Sequence, residues 1–124
     1  MDQVSIFKSQ SQERSLTAQT SGMTREQLVS TPDSWVGMVR TSPGSLSGWH
    51  HHGEYDTYVY IISGAIRFEY GPAGSETCDA VSGDVAHVPK HLVHRESNPG
   101  NEDGAAFVVR VGTGEPVFNV ESPT

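Results

Sequence analysis

Short apolar runs separated by turn residues cover most of the chain. They lie at residues 35–40, 46–52, 57–62, 65–70, 77–81, 85–89, 93–97, 105–111 and 117–120. Gly, Pro, Asn, Asp and Ser fill the positions between them, and turns recurring about every eight to twelve residues are typical of antiparallel sheets. The run from Ile66 to Tyr70 alternates apolar and charged residues, as a strand with one buried face does. We therefore predict an all-β sandwich or barrel.

The first 32 residues have a different texture. An apolar start with Val4, Ile6 and Phe7 is followed by a Ser-, Gln- and Thr-rich stretch. Thr24 and Gln27 then fit a capping box, which predicts a short helical turn. We interpret residues 1–32 as an N-terminal arm with an edge strand and this helical turn, residues 33–120 as the barrel, and residues 121–124 as a loose tail.

Composition narrows the class of protein. A chain of 124 residues is long enough for one domain. Its net charge of −7 argues against nucleic-acid and anionic-membrane partners, which need basic patches. No apolar stretch approaches the length of a membrane span, and the N-terminus lacks the order of a signal peptide. A cytoplasmic location follows as an expectation, with the single cysteine, Cys78, reduced and buried as a small apolar residue.

The six histidines all lie between residues 50 and 94. On a strand, His50 and His52 point to one face and His51 to the other. Two imidazoles at this spacing can bind one divalent metal ion, with His94 from a later strand as the best third ligand. The sequence therefore predicts a metal site at His50, His52 and His94, which a stiff barrel of several strands would hold in fixed geometry.

Two spaced motifs surround these histidines. The first motif consists of Gly44, five residues, the His-x-His of His50 and His52, four residues, Thr57, six residues and Gly64. In the second, a Gly, five residues, a Pro, a His and an Asn are found at Gly83, Pro89, His94 and Asn98, with His91 at the position of a second glycine. Eight positions agree with the two conserved motifs of the cupin superfamily, so the chain resembles a small single-domain cupin.

This resemblance implies a jelly-roll, double-stranded β-helix barrel whose mouth holds a metal bound by His50, His52 and His94. Thr57 stands where the family has a glutamate ligand. Glu54 and Asp56 are nearby acids, but Thr57 has the strand parity that faces inward, so we give them little weight as ligands. Without an acidic ligand the centre keeps the full charge of a dication, which favours an anionic, chelating substrate.

Three further side chains are candidates for catalysis. Arg110 alternates with Phe107, Val109 and Val111, so it would face inward and bind a substrate carboxylate. Glu54, or His87 if it points inward, is a candidate base. For His87 and His91 we favour supporting or structural roles.

The leading hypothesis is a metal-dependent enzyme acting on a small organic molecule. A dioxygenase-like version would use Fe(II) and O2, and a non-redox isomerase, cyclase or lyase would use Zn, Mn or Ni as a Lewis acid. The alternative is a non-catalytic module that binds a metal or small ligand. Exposed sheet edges and outward aromatic residues further predict a homodimer.

Overall fold

The computed structural model describes residues 3–7 and 20–123. Ten antiparallel strands occur in this part of the chain, and one short 3-10 turn lies at Pro72–Gly74. The strands are β1 (Thr24–Thr31), β2 (Ser34–Thr41), β3 (His50–His51), β4 (Asp56–Ser63), β5 (Ala65–Tyr70), β6 (Glu76–Val81), β7 (Val85–Val88), β8 (His94–Ser97), β9 (Gly104–Val111) and β10 (Phe118–Asn119). The predicted all-β class is confirmed. Nowhere among the described residues is there a helix with the length and apolarity to cross a bilayer.

The strands form two five-stranded sheets. Their orders are β1-β2-β9-β4-β7 and β10-β3-β8-β5-β6, and sequence-distant strands lie side by side in both, as in a jelly roll. Each predicted run from residue 35 to residue 120 overlaps a strand. In the run at 46–52 the strand is much shorter than the run, because it covers only His50–His51. Leu46 in the same run makes an isolated bridge to Ser97.

The predicted helical turn near Thr24 is wrong. Residues 24–31 form strand β1, which pairs with β2 at the edge of the first sheet. Gln27 does not cap a helix, because its side-chain oxygen accepts a hydrogen bond from Trp35 Nε1 at 3.0 Å. The apolar residues of segment 3–7 are exposed, and the polar stretch up to residue 19 lies outside the described residues. The division into arm, barrel and tail stays a prediction.

The core lies between the two sheets and follows the two-residue period of the strands. On β4 the buried side chains are Thr57, Val59 and Ile61, while Tyr58 and Tyr60 are exposed. Apolar side chains fill most of the interior, namely Trp35, Val39, Val59, Ile61, Ile66, Phe68, Val88, Ala106 and Val108. Polar and charged side chains are buried beside this core, which is the unusual feature of the barrel.

Gly37 makes room for the largest core side chain. A methyl group on Gly37 would collide with the Trp35 indole and with the carbonyl oxygen of Glu26. We expect Gly37→Ala to lower the free energy of unfolding by about 1–3 kcal/mol, because a close-packed core cannot absorb an extra carbon without moving backbone or ring. Urea unfolding measures this change. Gly48→Ala is the matched control, since its new methyl would meet only ordinary contacts of 3.5 Å or more, and an equal loss in both variants would contradict the packing argument.

Candidate metal centre

Three histidines meet inside the barrel. His50 is in β3 and His94 in β8, and the two residues are partners in the antiparallel register. His52 follows β3 by one residue, and all three side chains are buried. Their ring centroids lie 4.3 to 5.2 Å apart, and one ligating nitrogen from each falls within 4.8 Å of the others. The structure thus brings together the three residues that the sequence selected.

Each of the three rings is held through its Nδ1 atom by a backbone carbonyl. His50 Nδ1 donates to Gly48 O at 2.9 Å, and His94 Nδ1 donates to Leu92 O at 3.0 Å. His52 Nδ1 donates to Pro116 O at 2.8 Å. Because a carbonyl only accepts hydrogen bonds, these contacts place the proton of each neutral ring on Nδ1 and leave the Nε2 lone pair available.

The free Nε2 atoms fit a divalent metal. Among the described residues, Nε2 of His50 and of His94 are buried without a hydrogen-bond partner. Burial lowers the pKa of His50, and it lowers the pKa of His52 well below its usual range, so both rings favour the neutral, ligating form. Imidazoles fixed through Nδ1 to carbonyls are the usual arrangement around protein-bound metals. These three side chains are therefore placed to hold one metal ion.

Arg110 and Thr57 lie side by side on one wall of a small cavity that His52 and His94 also line. They are register partners on β9 and β4, each only 2% exposed, so the inward direction predicted for both is confirmed. The Arg110 guanidinium lies 4.2 Å over the Trp35 ring, while its Nε and Nη1 have no hydrogen-bond partner among the described residues. Burial lowers the pKa of Arg110 to about 9. Two buried N–H groups are thus available for an acceptor.

Glu96 also lies in this cavity, and sequence reasoning missed it. Its Oε2 atom is 3.2 Å from His50 Nε2 and 3.7 Å from His94 Nε2. The signal was available, because Glu96 follows His94 by two residues on β8 and so shares its face. Arg25 on β1 is a second buried charge that was missed, and its guanidinium donates to Thr20 Oγ1 at 2.7 Å.

The other sequence candidates lie outside the cluster. Glu54 is 62% exposed and pairs with His91 at 3.0 Å. Asp56 pairs with His87 at 2.8 Å, and the His87 ring stacks on the exposed Tyr58. The structure therefore does not bring Glu54 or Asp56 to the histidines as ligands. His87 does not join the cluster, but it is among the residues that line a neighbouring pocket.

The two remaining histidines have other surroundings. His51 stacks on Phe118 with centroids 4.9 Å apart, away from the cluster as its strand parity predicted. His91 has φ of +63°, so the position that carries a glycine in the second motif adopts a glycine-like backbone here. Neither ring joins the metal centre.

Two cavities meet at His94. The inner one, of about 10 Å³, is lined by His52, Thr57, Glu96 and Arg110 and has room for roughly one water molecule. The outer one, of about 300 Å³, is lined mainly by apolar side chains of β5, β6 and β7. His94 and Val88 line both cavities, so His94 stands between the inner cavity, which also has apolar residues in its lining, and the apolar outer pocket.

Cys78 was expected to be buried, and this is wrong. It is exposed, it is the register partner of Phe68 in the pairing of β5 and β6, and it is among the residues that line the outer pocket. A groove of about 560 Å³, larger than this pocket, lies elsewhere, among residues that include Thr20, Arg40 and Asp103. None of the three histidines lines that groove, so we place the site at the smaller cavities.

Comparison with known proteins identifies a family and several similar folds. The cupin domain model matches residues 37–110. No curated protein matches the sequence. A conserved protein with a double-stranded beta-helix domain from Klebsiella pneumoniae has a TM-score of 0.71 and 22% identity over 86% of this chain and 90% of that chain.

Two further structures share the fold. Oxalate decarboxylase from Bacillus subtilis has a TM-score of 0.72 and 21% identity over 87% of this chain but only 30% of its own length. KdgF from Halomonas sp. has a TM-score of 0.66 and 22% identity over 97% of this chain and 95% of its own. At these identities the likeness concerns the fold.

Proposed function

Because the chain belongs to the cupin family, as its two motifs predicted, we propose that it is a metal-dependent enzyme for a small anionic or chelating organic substrate. The observation that carries the proposal is the set of three buried imidazoles whose Nδ1 atoms are all bonded to carbonyls. In this proposal His50, His52 and His94 hold one divalent metal through Nε2. The bound metal would supply Lewis-acid chemistry or, as Fe(II), redox chemistry.

The charges around the cluster support an anionic substrate. Arg25 and Arg110 are buried cations, and both interact electrostatically with the buried carboxylate of Glu96. Two guanidiniums and a dication outweigh one carboxylate, and buried charge of one sign is stabilised by a bound counter-charge. The similar fold of an oxalate decarboxylase, a protein named for a small dicarboxylate, agrees with this substrate class.

In this proposal the two cavities bind different parts of the substrate. The inner cavity admits about one oxygen-sized group, which would accept hydrogen bonds from the Arg110 Nε and Nη1 atoms. The apolar pocket beyond His94, with Phe68 and Leu92 in its wall, would hold the carbon skeleton of the substrate and exclude water from it. A small carboxylic acid with an apolar body fits this arrangement.

Metal analysis and ligand binding test the proposal together. We expect protein purified without added metal to carry, or to take up, one divalent ion per chain, measured by mass spectrometry of the elements. Oxalate and other short carboxylates are then expected to bind the metal-loaded protein, by calorimetry, and to bind the metal-free protein much more weakly. Absence of a stoichiometric metal would overturn the proposal.

Oxygen consumption separates the two kinds of chemistry. The dioxygenase-like reaction requires O2 uptake by the Fe(II)-loaded protein with substrate, whereas isomerase, cyclase or lyase chemistry converts substrate without it. Carboxylate binding with no conversion under either condition would favour the non-catalytic binding module.

The cytoplasmic location and the homodimer stay predictions, the latter supported by the exposed aromatic side chains Tyr58, Tyr60 and Phe107 on the outer face of the first sheet.

A further inference from the structure

We propose that Glu96 supplies the carboxylate ligand that the metal centre lacks at Thr57. This inference rests on the proposed metal site at the three histidines and adds a fourth protein ligand to it. The family's glutamate position on β4 is occupied by threonine, and the acid is found instead on β8, two residues after His94.

The distances from Glu96 to His50 and His94 are close to those between neighbouring ligands of one ion. Metal–nitrogen and metal–oxygen bonds of about 2.0–2.2 Å place neighbouring ligand atoms roughly 3.0–3.5 Å apart in octahedral or tetrahedral geometry. Glu96 Oε2 lies 3.2 Å from His50 Nε2 and 3.7 Å from His94 Nε2. Both nitrogens and the carboxylate oxygen are acceptors when each Nδ1 carries its proton, and a cation among them satisfies all three.

The backbone holds Glu96 in this position. Its N–H donates to Ser47 Oγ at 2.9 Å, and its carbonyl oxygen accepts from the Ser47 N–H at 2.8 Å. Its side chain is only 8% exposed, and it is the register partner of the buried Phe68 on β5. A residue whose backbone N–H and carbonyl are both held by one serine, and whose side chain is buried, is pre-positioned as a metal ligand needs to be.

The opposite wall explains why the acid is useful on β8. Thr57 is the register partner of Arg110, so a glutamate at residue 57 would lie beside the guanidinium and pair with it. With the acid at Glu96, the wall formed by β4 and β9 presents a hydroxyl and a guanidinium to the cavity. The centre then carries one net positive charge from metal and ligands, and Arg110 stays available for an anion.

Cobalt titration of matched variants tests the ligand role. We use Co²⁺ as the probe, with affinity measured against a competing chelator and the visible spectrum recorded at saturation. Glu96→Gln is expected to weaken Co²⁺ binding by at least about 10- to 100-fold and to change the spectrum, because one ligand atom changes. Glu96→Asp keeps the negative charge near the arginines but withdraws the oxygen by one carbon, and we expect the same two effects. The surface variant Glu76→Gln controls for net charge and is expected to leave both readouts unchanged.

The outcomes separate this inference from the proposed function. If wild type binds Co²⁺ and His50→Ala does not, while both Glu96 variants keep the wild-type affinity and spectrum, Glu96 is no ligand and the three-histidine site stands. If wild type binds no metal, both proposals fall. Circular dichroism of the metal-free variants checks folding, and should Glu96→Gln unfold, Glu96→Asp decides alone because it retains the buried charge.

Discussion

Replacing His50, His52 or His94 singly with alanine is expected to lower the affinity for a divalent metal by more than about 100-fold while the barrel stays folded. Each substitution removes one of the three ligating nitrogens that lie within 4.8 Å of one another, and no other histidine among the described residues belongs to that cluster. The loss of one buried ring and its hydrogen bond costs about 1–3 kcal/mol of stability, which a single domain of this kind tolerates. Metal content, metal affinity and thermal unfolding measure the three expectations.

The chain provides matched controls for this experiment. His51→Ala removes an imidazole next to both ligands in sequence, and His87→Ala removes one that pairs with Asp56 on the outer surface. Both variants are expected to retain the wild-type metal content. Full metal in all three cluster variants would refute the assignment, and equal losses in the controls would show that the ion binds elsewhere.

The two-residue period of strands carried most of what the sequence could predict. It placed His50, His52, Thr57 and Arg110 on the inside and pointed His51 the other way, as observed. Parity needs only local information, since neighbouring side chains on a strand point to opposite faces whatever the partner strand is. The spacing of the two motifs then supplied the long-range contact between β3 and β8.

Long-range pairing explains what the sequence analysis got wrong. Thr24 and Gln27 have the spacing of a helix cap, but pairing with β2 along the whole of β1 outweighs a local capping preference. Cys78 has a buried neighbour two residues away, Ala80, and is nevertheless exposed, on a strand that lies at the edge of the second sheet and beside the outer pocket. Neither the partner strand nor the edge position is encoded in the local pattern.

The buried charges show a different limit. Glu96 shares the parity of His94 and was within reach of the same argument, whereas the alternation around Arg25 was concealed by the helical interpretation of its segment. Arg and Glu are also rarely assigned to a core from sequence, because burying an isolated charge costs free energy. Arg25 and Arg110 each interact electrostatically with Glu96, which offsets part of this cost, and the fold brings the three residues together.

Arg110→Met is expected to weaken binding of short carboxylates to the metal-loaded protein by roughly 10- to 100-fold, the value of a charge-assisted hydrogen bond. The same substitution should tighten metal binding, because it removes a buried positive charge that lines the same cavity as the proposed ligands His52 and His94. Metal-free stability is expected to stay the same or to rise by about 1–2 kcal/mol, since methionine leaves no N–H group unpaired at Nε or Nη1. Calorimetry with oxalate and with its neutral diamide, metal titration and urea unfolding provide the measurements.

Weaker carboxylate binding together with tighter metal binding and unchanged or higher stability would distinguish an anion-binding role of Arg110 from a purely structural one. A residue that only supports the fold would lose stability when replaced, and carboxylate and amide would be affected alike. Arg67→Met is the control, because Arg67 is 44% exposed and pairs with Asp79 on the outer face of β5, where a surface ion pair contributes about 0–1 kcal/mol. Unchanged carboxylate affinity in Arg110→Met would remove the anion-binding role. A fall in both metal affinity and stability would instead assign Arg110 to holding Trp35 in the core, through the contact in which its guanidinium lies 4.2 Å over the ring.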